Sequence, residues 1–549
     1  MSATQISRRH LLALSGSLGA LAVGGTLTGC GSGGSQDGGA AKSAAVKLPT
    51  YKEFTGIKPD LPGDTDGLQP GFLAMPSDAV ASTEKAPLSS DVTALSETFT
   101  TPPPGMGSNP FWQRLNGELG GKLQITIGTD PGYPEKFATI LASDDLPDMM
   151  WLPPNQGIPN VGPMLEAKFA DLTSHLSGDA VLEYPNLAAL KPDSWRTAVV
   201  NGKIWGAPIP STPFGQVMIG HPKLWDKVGG FSFDSADDFL AKAKELTDPK
   251  NKVYALEPAY INMMHMFGEW FGAPTGWRVN KDRTLTNIYE TDEYFAALEF
   301  GAKVFAAGCF YPDANLPDAR PKVAQGSIAA YVSVGPTGIN ELRQFDKTLQ
   351  GVGLVPFGWD GKSEPNYDMG YGTVGFTPFK KADEARIKEL LSLINWLSAP
   401  FGTKEYLQKN YGTEGKDFTF DSHGNANLTK TGTTNAPGLV SALQIMSSSE
   451  SVIYSTQYAD DTKKIYALEK ELLKHAHRNP TAGTYSDTNS KKGAKLSQQI
   501  TDAVTDVVTG RKKPDTFKEA VKRWRNGGGD KIREEYQKVL AKDVTADGS

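Results

Sequence analysis

The chain has 549 residues, a formal net charge of −6 and two cysteines. Its basic residues are dispersed, so no basic stripe indicates nucleic-acid binding and no polybasic helix indicates a lipid surface. Two cysteines exclude a disulfide framework, and a chain of this length is too long for a single core, which predicts two lobes or domains of ordinary size.

The first thirty residues have the pattern of an export signal. Arg8 and Arg9 precede an uncharged apolar stretch that ends at residues 27–30 with Leu-Thr-Gly-Cys. This order is typical of a cleaved signal, and a cysteine just after the cleavage site can carry lipid chains. It resembles the bacterial lipobox, and the arginine pair resembles a twin-arginine signal with Leu in place of the usual Phe. We expect residues 1–29 to be the export signal and Cys30 to be lipidated; a retained membrane span is the alternative, which the many glycines disfavour.

The segment from Cys30 to residue 90 shows no sustained period. Residues 31–45 are rich in Gly, Ser and Ala, which predicts a flexible tether. Residues 46–90 are rich in Pro, Gly and Asp, which predicts an irregular strap that lies on the folded body or is partly disordered. We therefore assign 30–90 to the lipidated cysteine, the tether and the strap.

From about residue 91, predicted strands alternate with predicted helices. Strand patterns occur at 123–127, 149–152, 217–219, 328–332 and 352–355. Helix patterns occur at 134–143, at 237–246 after the cap Ser235, at 292–307 after the cap Thr291, and at 383–397, and longer amphipathic helices are predicted at 456–477, 495–509, 515–525 and 530–541. This alternation predicts parallel or mixed sheets covered by helices.

Five segments carry a family resemblance. They are 141–148 (Leu-Ala-Ser-Asp-Asp-Leu-Pro-Asp), 201–208 (Asn-Gly-Lys-Ile-Trp-Gly-Ala-Pro), 231–239 (Phe-Ser-Phe-Asp-Ser-Ala-Asp-Asp-Phe), 411–417 (Tyr-Gly-Thr-Glu-Gly-Lys-Asp) and 524–536 (Trp-Arg-Asn-Gly-Gly-Gly-Asp-Lys-Ile-Arg-Glu-Glu-Tyr). In this order they resemble the signatures of bacterial extracellular solute-binding lipoproteins of carbohydrate ABC importers, of the family 1 type and its large branch.

The resemblance implies an α/β fold of two lobes, periplasmic-binding-protein-like and of type II, with an interlobe cleft and hinge crossovers. Lobe 1 is expected to contain residues 91–210 and, after the chain returns, 369–435. Lobe 2 is expected to contain residues 211–368. The C-terminal helical part, 436–549, is expected to belong mainly to lobe 2.

Several polar residues are better explained by structural roles than by catalysis or metal binding. Asp144, Asp145 and Asp148 are spaced for acid–base work, but they lie between a helix and a strand, where aspartates commonly cap and turn the chain. The loop 421–427 has oxygen-bearing side chains partly as a calcium loop would, but it lacks the glycine and distal glutamate of such a loop, which favours a hairpin turn. Cys309 stands in an apolar run that is typical of a core cysteine. We expect neither catalytic residues nor a metal site.

The candidate ligand site rests on the chemistry of sugars, which present apolar faces and dense hydroxyls. Aromatic rings and planar polar groups recognise both. We expect such groups after the strand 149–152, after the first crossover and in the aromatic-rich segment 257–277. The resemblance implies two more, at positions that match the family's contacts in lobe 2 and at the return crossover. For any ring of 257–277, core packing is an equal alternative. The candidates are Trp151, Asn155, Ser211, Thr212, Glu257, Trp270, Trp277, Tyr331 and Tyr371.

The leading hypothesis is a substrate-binding protein, lipid-anchored on the extracytoplasmic face of the cell membrane. It would capture a carbohydrate, specifically an oligosaccharide, by lobe closure and deliver it to ABC permease subunits, as a monomer without cofactor or nucleic acid and without enzymatic activity. Two alternatives stay open: a surface glycoside hydrolase, which needs two carboxylates about 5–10 Å apart across the sugar, and a scaffold lipoprotein without a small ligand.

Overall fold

The structure is a computed structural model that describes residues 46–129, 132–143, 145–153 and 158–543. The expected export signal, Cys30 and the tether lie outside these ranges, as do Asp144 and Asn155. Among the helices of the described ranges, none is long and apolar enough to cross a membrane.

The sheet of lobe 1 is mixed and is built around the strand Val92–Thr98. Leu123–Thr129 and Met149–Met150 flank it on either side, both parallel to it. Two isolated bridges then join the edge at Met149–Met150 to Thr373–Pro378, which pairs antiparallel with Gly206–Pro210. The return strand Thr373–Pro378 therefore stands between two strands of the first part of the lobe, so the sheet needs both passages of the chain.

Apolar side chains from helices bury this sheet. Glu384–Leu397 contributes Ile387, Leu390 and Ile394, all buried, and begins where Asp383 accepts a hydrogen bond from the N–H of Arg386. This helix was expected at 383–397 and is confirmed. The α-helices of lobe 1 are Pro110–Leu119, Tyr133–Ala142, Val161–Lys168, Thr173–Leu176, Pro185–Ala188, Pro192–Trp195, Glu384–Leu397, Lys404–Asn410, Lys430–Asn435 and Pro437–Met446.

The sheet of lobe 2 has four strands. Their order across the sheet is Val352–Gly353, Gln216–Gly220, Ile328–Val334 and Tyr254–Leu256. The two central strands run antiparallel to each other, and Tyr254–Leu256 runs parallel to its neighbour. Three of the four lie where strands were predicted. Tyr254–Leu256 was not predicted, because it is too short to show a period.

Aromatic residues fill the core of lobe 2. The rings of Phe239 and Trp270 lie 4.8 Å apart between centroids, and Phe267 lies 5.1 Å from Phe300. Cys309 is fully buried in this core, as expected. The α-helices of lobe 2 are Pro222–Trp225, Ala236–Leu246, Tyr260–Trp270, Asp292–Ala306, Arg320–Ala324, Gly338–Glu341, Ala459–Leu472, Asp487–Val508, Thr516–Trp524 and Asp530–Asp543.

Helix ends follow the capping residues of the sequence. Ser235 and Thr291 each accept a hydrogen bond from a backbone N–H of the first turn, as predicted. Asp487–Val508 begins earlier than the predicted 495–509, because Ser486 caps it. The glycine run after Thr516–Trp524 breaks the helix, with Gly528 at φ 155°, a value that favours glycine.

Short strands and hairpins complete the fold. Asn201 and Gly202 adopt positive φ of 54° and 74° in a hairpin turn, and Asp421 accepts N–H hydrogen bonds from His423 and Asn425, which places the loop 421–427 in a hairpin as expected. The short strands are Gly71–Phe72, Val199–Val200, Lys203–Ile204, Trp277–Val279, Leu285–Asn287, Tyr367–Asp368, Phe418–Phe420, Ala426–Leu428, Ile453–Tyr454 and Ala476–His477.

The C-terminal part is divided between the lobes. Pro437–Met446 packs on the lobe 1 strand Val92–Thr98, and Ser96 of that strand donates a hydrogen bond to the carbonyl of Ala442. The three helices from Asp487 onward share the apolar core of lobe 2. The first helix of the predicted segment 436–549 thus belongs to lobe 1, because its apolar face completes that lobe's core.

Two chain segments cross between the lobes side by side and form the hinge, Ser211–Gly215 and Met369–Thr373. The N–H of Ser211 donates to the carbonyl of Gly372 and that of Gly370 donates to Pro213, both at 2.9 Å. A side chain at Gly215 would meet the carbonyl oxygen of Asp368 at 1.9 Å. The hinge is therefore a ladder so close that one position requires glycine.

The strap lies across the hinge and touches both lobes. Its Thr50 donates its N–H to Gly178 of lobe 1. Gln69 donates its N–H to Glu469 of lobe 2 at 3.1 Å, and its side-chain carbonyl accepts from Thr212 of the hinge. The predicted strap is thus ordered, and its polar groups bond to the body it lies on.

Gly215→Ala is expected to destabilise the protein by about 1–3 kcal/mol, the usual cost of overpacking, because the added carbon would force the hinge ladder apart. The control is Gly117→Ala, whose added carbon meets nothing within 4 Å in the helix Pro110–Leu119 and should leave stability unchanged or raise it by up to about 1 kcal/mol. Denaturant unfolding measures both. A Gly215→Ala variant as stable as the wild type would contradict the close hinge.

Glu469→Gln is expected to change how stability depends on pH. Burial raises the pKa of Glu469 from 4.5 to about 8, which the N–H of Gln69 offsets only in part. The folded state thus holds the proton while the unfolded chain loses it, so this group's stabilising contribution is complete below pH 4.5 and falls as pH rises towards 8. The slope reaches about 1.4 kcal/mol per pH unit. From pH 4.5 to pH 8 the unfolding free energy of Glu469→Gln should therefore rise relative to that of the wild type.

The matched control for this pH experiment is Glu471→Gln, on the same helix but with its side chain 52% exposed. Its stability should follow that of the wild type at every pH. If the difference in unfolding free energy between Glu469→Gln and the wild type is the same at pH 5 and pH 8, the buried protonated carboxyl is ruled out.

Candidate functional site

Two adjoining cavities lie between the lobes. One, of about 830 Å³, is bounded by the hinge residues Gly215 and Met369–Tyr371 and is called here the hinge cavity. The other, of about 540 Å³, is called the neutral cavity. Thr197 of lobe 1, Tyr289 of lobe 2 and Tyr371 line both, so the two form one continuous cleft. Each volume is in the range typical of small-molecule sites.

Aromatic rings surround the neutral cavity together with amide and hydroxyl side chains. The rings belong to Trp277, Tyr289, Tyr371, Phe376, Tyr485, Trp524 and Tyr536. The amides belong to Asn287, Asn479, Asn489 and Gln498, and the hydroxyls to Thr197, Thr373, Thr481, Thr484, Ser486, Ser490 and Ser497. Flat apolar faces and neutral hydrogen-bonding groups thus occur on the same walls.

The aromatic walls are fixed by packing behind them. Trp277 lies with its ring centroid 6.1 Å from that of Trp524 and 5.9 Å from that of Tyr536. The guanidinium of Arg533 lies 5.9 Å from the centre of the Trp277 ring. These rings come from a short strand and from the C-terminal helices, and their mutual contacts set their orientation at the cavity.

The charged groups of the hinge cavity are arranged in pairs. Asp193 lies 3.6 Å from Arg196 and 3.7 Å from Arg478. His265 lies 4.0 Å from Asp368, measured from Nδ1 to Oδ2. Arg196 and Arg478 supply the guanidiniums and His265 the imidazole among the described residues that line this cavity, and each of the three faces a carboxylate.

Two carboxyl groups of the hinge cavity have raised pKa values. Glu269 is buried and accepts the N–H of Asp368 at 2.9 Å. Burial, followed by the nearby Asp368 charge, raises the pKa of Glu269 well above its usual value. Burial also raises the pKa of Asp368, although His265 and the hydroxyl of Thr275 act against it. The carboxyl of Glu269 thus lies at the edge of the hinge with a raised pKa and a backbone hydrogen bond to the second crossing segment's start.

A direct contact joins the lobes at the cleft. The hydroxyl of Ser490, in the long helix of lobe 2, donates a hydrogen bond of 3.0 Å to the carbonyl of Ile158 in lobe 1. The loop 478–486 leads into that helix, and its Asn479, Thr484 and Tyr485 line both cavities. The cleft thus has polar contacts from one lobe to the other at its margin.

Trp277 and Tyr371 are the predicted site residues that line the cleft. Trp277 is 7% exposed and lines the neutral cavity. Tyr371 is 54% exposed, the most of any ring in the cleft. Enclosure between the lobes raises the pKa of its phenol, which a hydrogen bond with Asn479 counteracts in part.

Trp151 and Trp270 take packing positions and do not line the hinge cavity or the neutral cavity. Trp151 is 2% exposed, and its indole N–H donates to the carbonyl of Val374 at 2.8 Å. Trp270 is 1% exposed and stacks among Phe239, Phe267 and other rings of the lobe 2 core. Neither indole has a face free for a ligand, because aromatic or sheet neighbours cover both.

Four further candidates interact with other protein groups and do not line the cleft. Ser211 and Thr212 lie in the hinge ladder, where Thr212 bonds to the strap. Glu257 is buried and accepts the N–H of Val332 at 2.7 Å, and burial raises its pKa to about 7. Tyr331 is buried and donates to the carbonyl of Gly338. Thr212, Glu257 and Tyr331 thus use their side-chain polar atoms within the fold, and none of the four lines the hinge cavity or the neutral cavity.

The sequence did not predict the cavity residues that the C-terminal part contributes, among them Tyr485, Trp524 and Tyr536. The loop 478–486 is dense in Asn, Thr and Tyr, a composition that signals a polar surface loop and could have marked it. The two C-terminal rings stand at apolar helix positions, which nothing in the local pattern separates from core positions. Among the described residues, no group of three or more His, Cys, Asp or Glu side chains could hold a metal ion.

Comparison with curated proteins finds two relatives in Bacillus subtilis strain 168. Lipoprotein LipO is 22% identical over 474 residues, which cover 82% of this chain and 92% of the relative. The polygalacturonan/rhamnogalacturonan-binding protein YtcQ is 22% identical over 444 residues, covering 76% and 85%. No family model matches the chain.

Among solved structures, the N-glycan transport solute binding protein NgtS from Streptococcus pneumoniae matches with a TM-score of 0.61 and 17% identity, covering 83% of this chain and 99% of that one. The chain therefore has the two-lobed fold of the extracellular solute-binding proteins, and the predicted α/β periplasmic-binding-protein-like fold is confirmed.

Proposed function

We propose that the chain captures an oligosaccharide between its two lobes and delivers it to an ABC permease. The observation that carries the proposal is the neutral cavity, where rings such as Tyr371 and Trp277 stand beside the amides of Asn479 and Asn489. Sugar rings need this combination, since their CH faces stack on aromatic rings while their hydroxyls pair with planar polar groups.

The mechanism follows from the hinge. Lobe closure about the two crossing segments would bring rings from both lobes against one ligand and exclude water from between them. The contact from Ser490 to Ile158 would stabilise the closed arrangement, which the permease would recognise. A micromolar dissociation constant requires only about 8 kcal/mol in total, and a few stacked rings with hydrogen bonds are sufficient.

The relatives support this assignment. One of them is a polygalacturonan/rhamnogalacturonan-binding protein by name, and the similar structure from S. pneumoniae is an N-glycan transport solute binding protein. Both names denote binding of a glycan, and the second also denotes transport. We infer the same class of ligand for this chain.

We further infer that the chain binds its ligand without catalysing a reaction on it. A glycoside hydrolase would place two carboxylates on opposite sides of the sugar. Here the carboxyls of Glu269 and Asp368 belong to one wall, since the first accepts the backbone N–H of the second, and Glu269 is buried. The third carboxylate of the hinge cavity, Asp193, is held between two guanidiniums.

Tyr371→Ala tests the site. Isothermal titration with oligosaccharides that raise the melting temperature of the wild type should show roughly tenfold weaker binding or more, because one stacking surface is lost. The ring is 54% exposed, so the fold should survive. The control is Trp359→Ala, an exposed ring stacked on Phe271 outside the cleft at 5.3 Å, which should keep wild-type affinity. Equal affinities of Tyr371→Ala and wild type, or shorter sugars appearing in the sample, would contradict the proposal.

We propose a lipid-anchored location on the extracytoplasmic face, which rests on the sequence around Cys30 and on the relative named a lipoprotein. Cys30→Ser should move the protein from the membrane fraction to the soluble fraction without changing oligosaccharide affinity, because the residue precedes the strap and the cleft. Fractionation and titration of the two proteins measure this. A Cys30→Ser protein that stays with the membrane would exclude the anchor.

A further inference from the structure

The neutral cavity has a further property that bears on its ligand. Among the described residues that line it, there is no Asp, Glu, Lys, Arg or His. A ligand in this cavity therefore meets, among the described residues, only uncharged groups: rings, aliphatic side chains, amides, hydroxyls and backbone.

Among the described residues that line the adjoining hinge cavity, both guanidiniums and the imidazole stand beside a carboxylate. Its two guanidiniums, Arg196 and Arg478, lie on either side of the single carboxylate of Asp193, and Arg478 also donates to the backbone carbonyl of Asp66 in the strap. The imidazole of His265 faces Asp368. An anionic group in the hinge cavity would share these side chains with a carboxylate already beside them, whereas a sugar unit in the neutral cavity meets no charged side chain among the described lining residues.

A carboxylate between closed lobes is stable only where a cation or several donors replace its water. Proteins that bind carboxylates or phosphates inside a cleft use arginine or lysine for this, with the planar guanidinium giving the best geometry. A wall of rings, amides and hydroxyls offers an anion only neutral donors, which replace its lost hydration less well than a cation does. Neutral hydroxyls, by contrast, are satisfied by Asn and Thr side chains.

We propose that the ligand is a neutral oligosaccharide, with no uronate, sulfate or phosphate group on the sugar units that occupy the neutral cavity. This inference rests on the proposed function and makes it more specific, because the names of the relatives do not say whether the glycan bound by this chain is charged. Selectivity against acidic glycans would come from the absence of a cationic partner among the described residues that line the neutral cavity.

The test uses three matched sets of ligands on the full chain. The first is a panel of neutral oligosaccharides of different linkage. The second is made from the first by oxidation of the primary hydroxyls to carboxylates, and the third contains the methyl esters of those carboxylates. Thermal shift finds the binders and isothermal titration at pH 7 measures them, with Tyr371→Ala as the control that binding occurs in the cleft.

We expect a neutral oligosaccharide to bind, its carboxylate to bind roughly 100-fold more weakly, and the methyl ester to recover most of the lost affinity. A carboxylate that binds as tightly as the neutral sugar, or a methyl ester as weak as the carboxylate, would overturn the inference about charge and leave the proposed function standing. If no member of any set binds, the proposed function itself fails, and the inference fails with it.

Discussion

The pairing of the two crossing segments, Ser211–Gly215 and Met369–Thr373, is the constraint on which the rest of the structure depends. Hydrogen bonds at 2.9 Å in both directions hold the segments together, and Gly215 lies so close to Asp368 that only glycine fits. Beyond the ladder, one segment continues into the lobe 1 sheet as Thr373–Pro378 and the other into the lobe 2 sheet as Gln216–Gly220. Each sheet is therefore tied to the hinge by one of its own strands.

The hinge also organises the electrostatics of the cleft. Glu269 accepts the N–H of Asp368 where the second crossing begins, and burial raises the pKa of its carboxyl. The strap crosses the same region, and Gln69 connects the buried Glu469 to Thr212. Charged and protonated carboxyls thus gather near the hinge, while the cavity further along the cleft is left to rings and amides. This separation gives the cleft one charged, internally paired end and one neutral end.

The sequence predicted the fold through local patterns. Alternation at 123–127 and the caps Ser235 and Thr291 depend on neighbours a few residues away, and the structure has strands and helices there. The split of residues 436–549 was harder. Pro437–Met446 belongs to lobe 1 because its apolar face meets Val92–Thr98, a contact more than three hundred residues distant, and helical periodicity does not encode which sheet a helix covers.

The candidate site was predicted less well, for a similar reason. Trp270 and Trp277 occur in one aromatic-rich segment, yet the first lies in the core of lobe 2 and the second reaches the cleft. Trp270 ends the helix Tyr260–Trp270, which packs into the core, whereas Trp277 begins the strand Trp277–Val279, and which of the two elements reaches the cleft is a tertiary property. Rings from the C-terminal helices, such as Trp524 and Tyr536, enter the site only because those helices return to the cleft.

The central claim is that a sugar lies in the cleft between rings supplied by both lobes and the hinge. A crystal structure of the chain with an oligosaccharide that raises its melting temperature tests this most directly. The account predicts sugar density in the neutral cavity, with one ring against Tyr371 and hydroxyls bonded to amides such as Asn479. Density at any other surface, with the cavity between the lobes filled only by water, would contradict it.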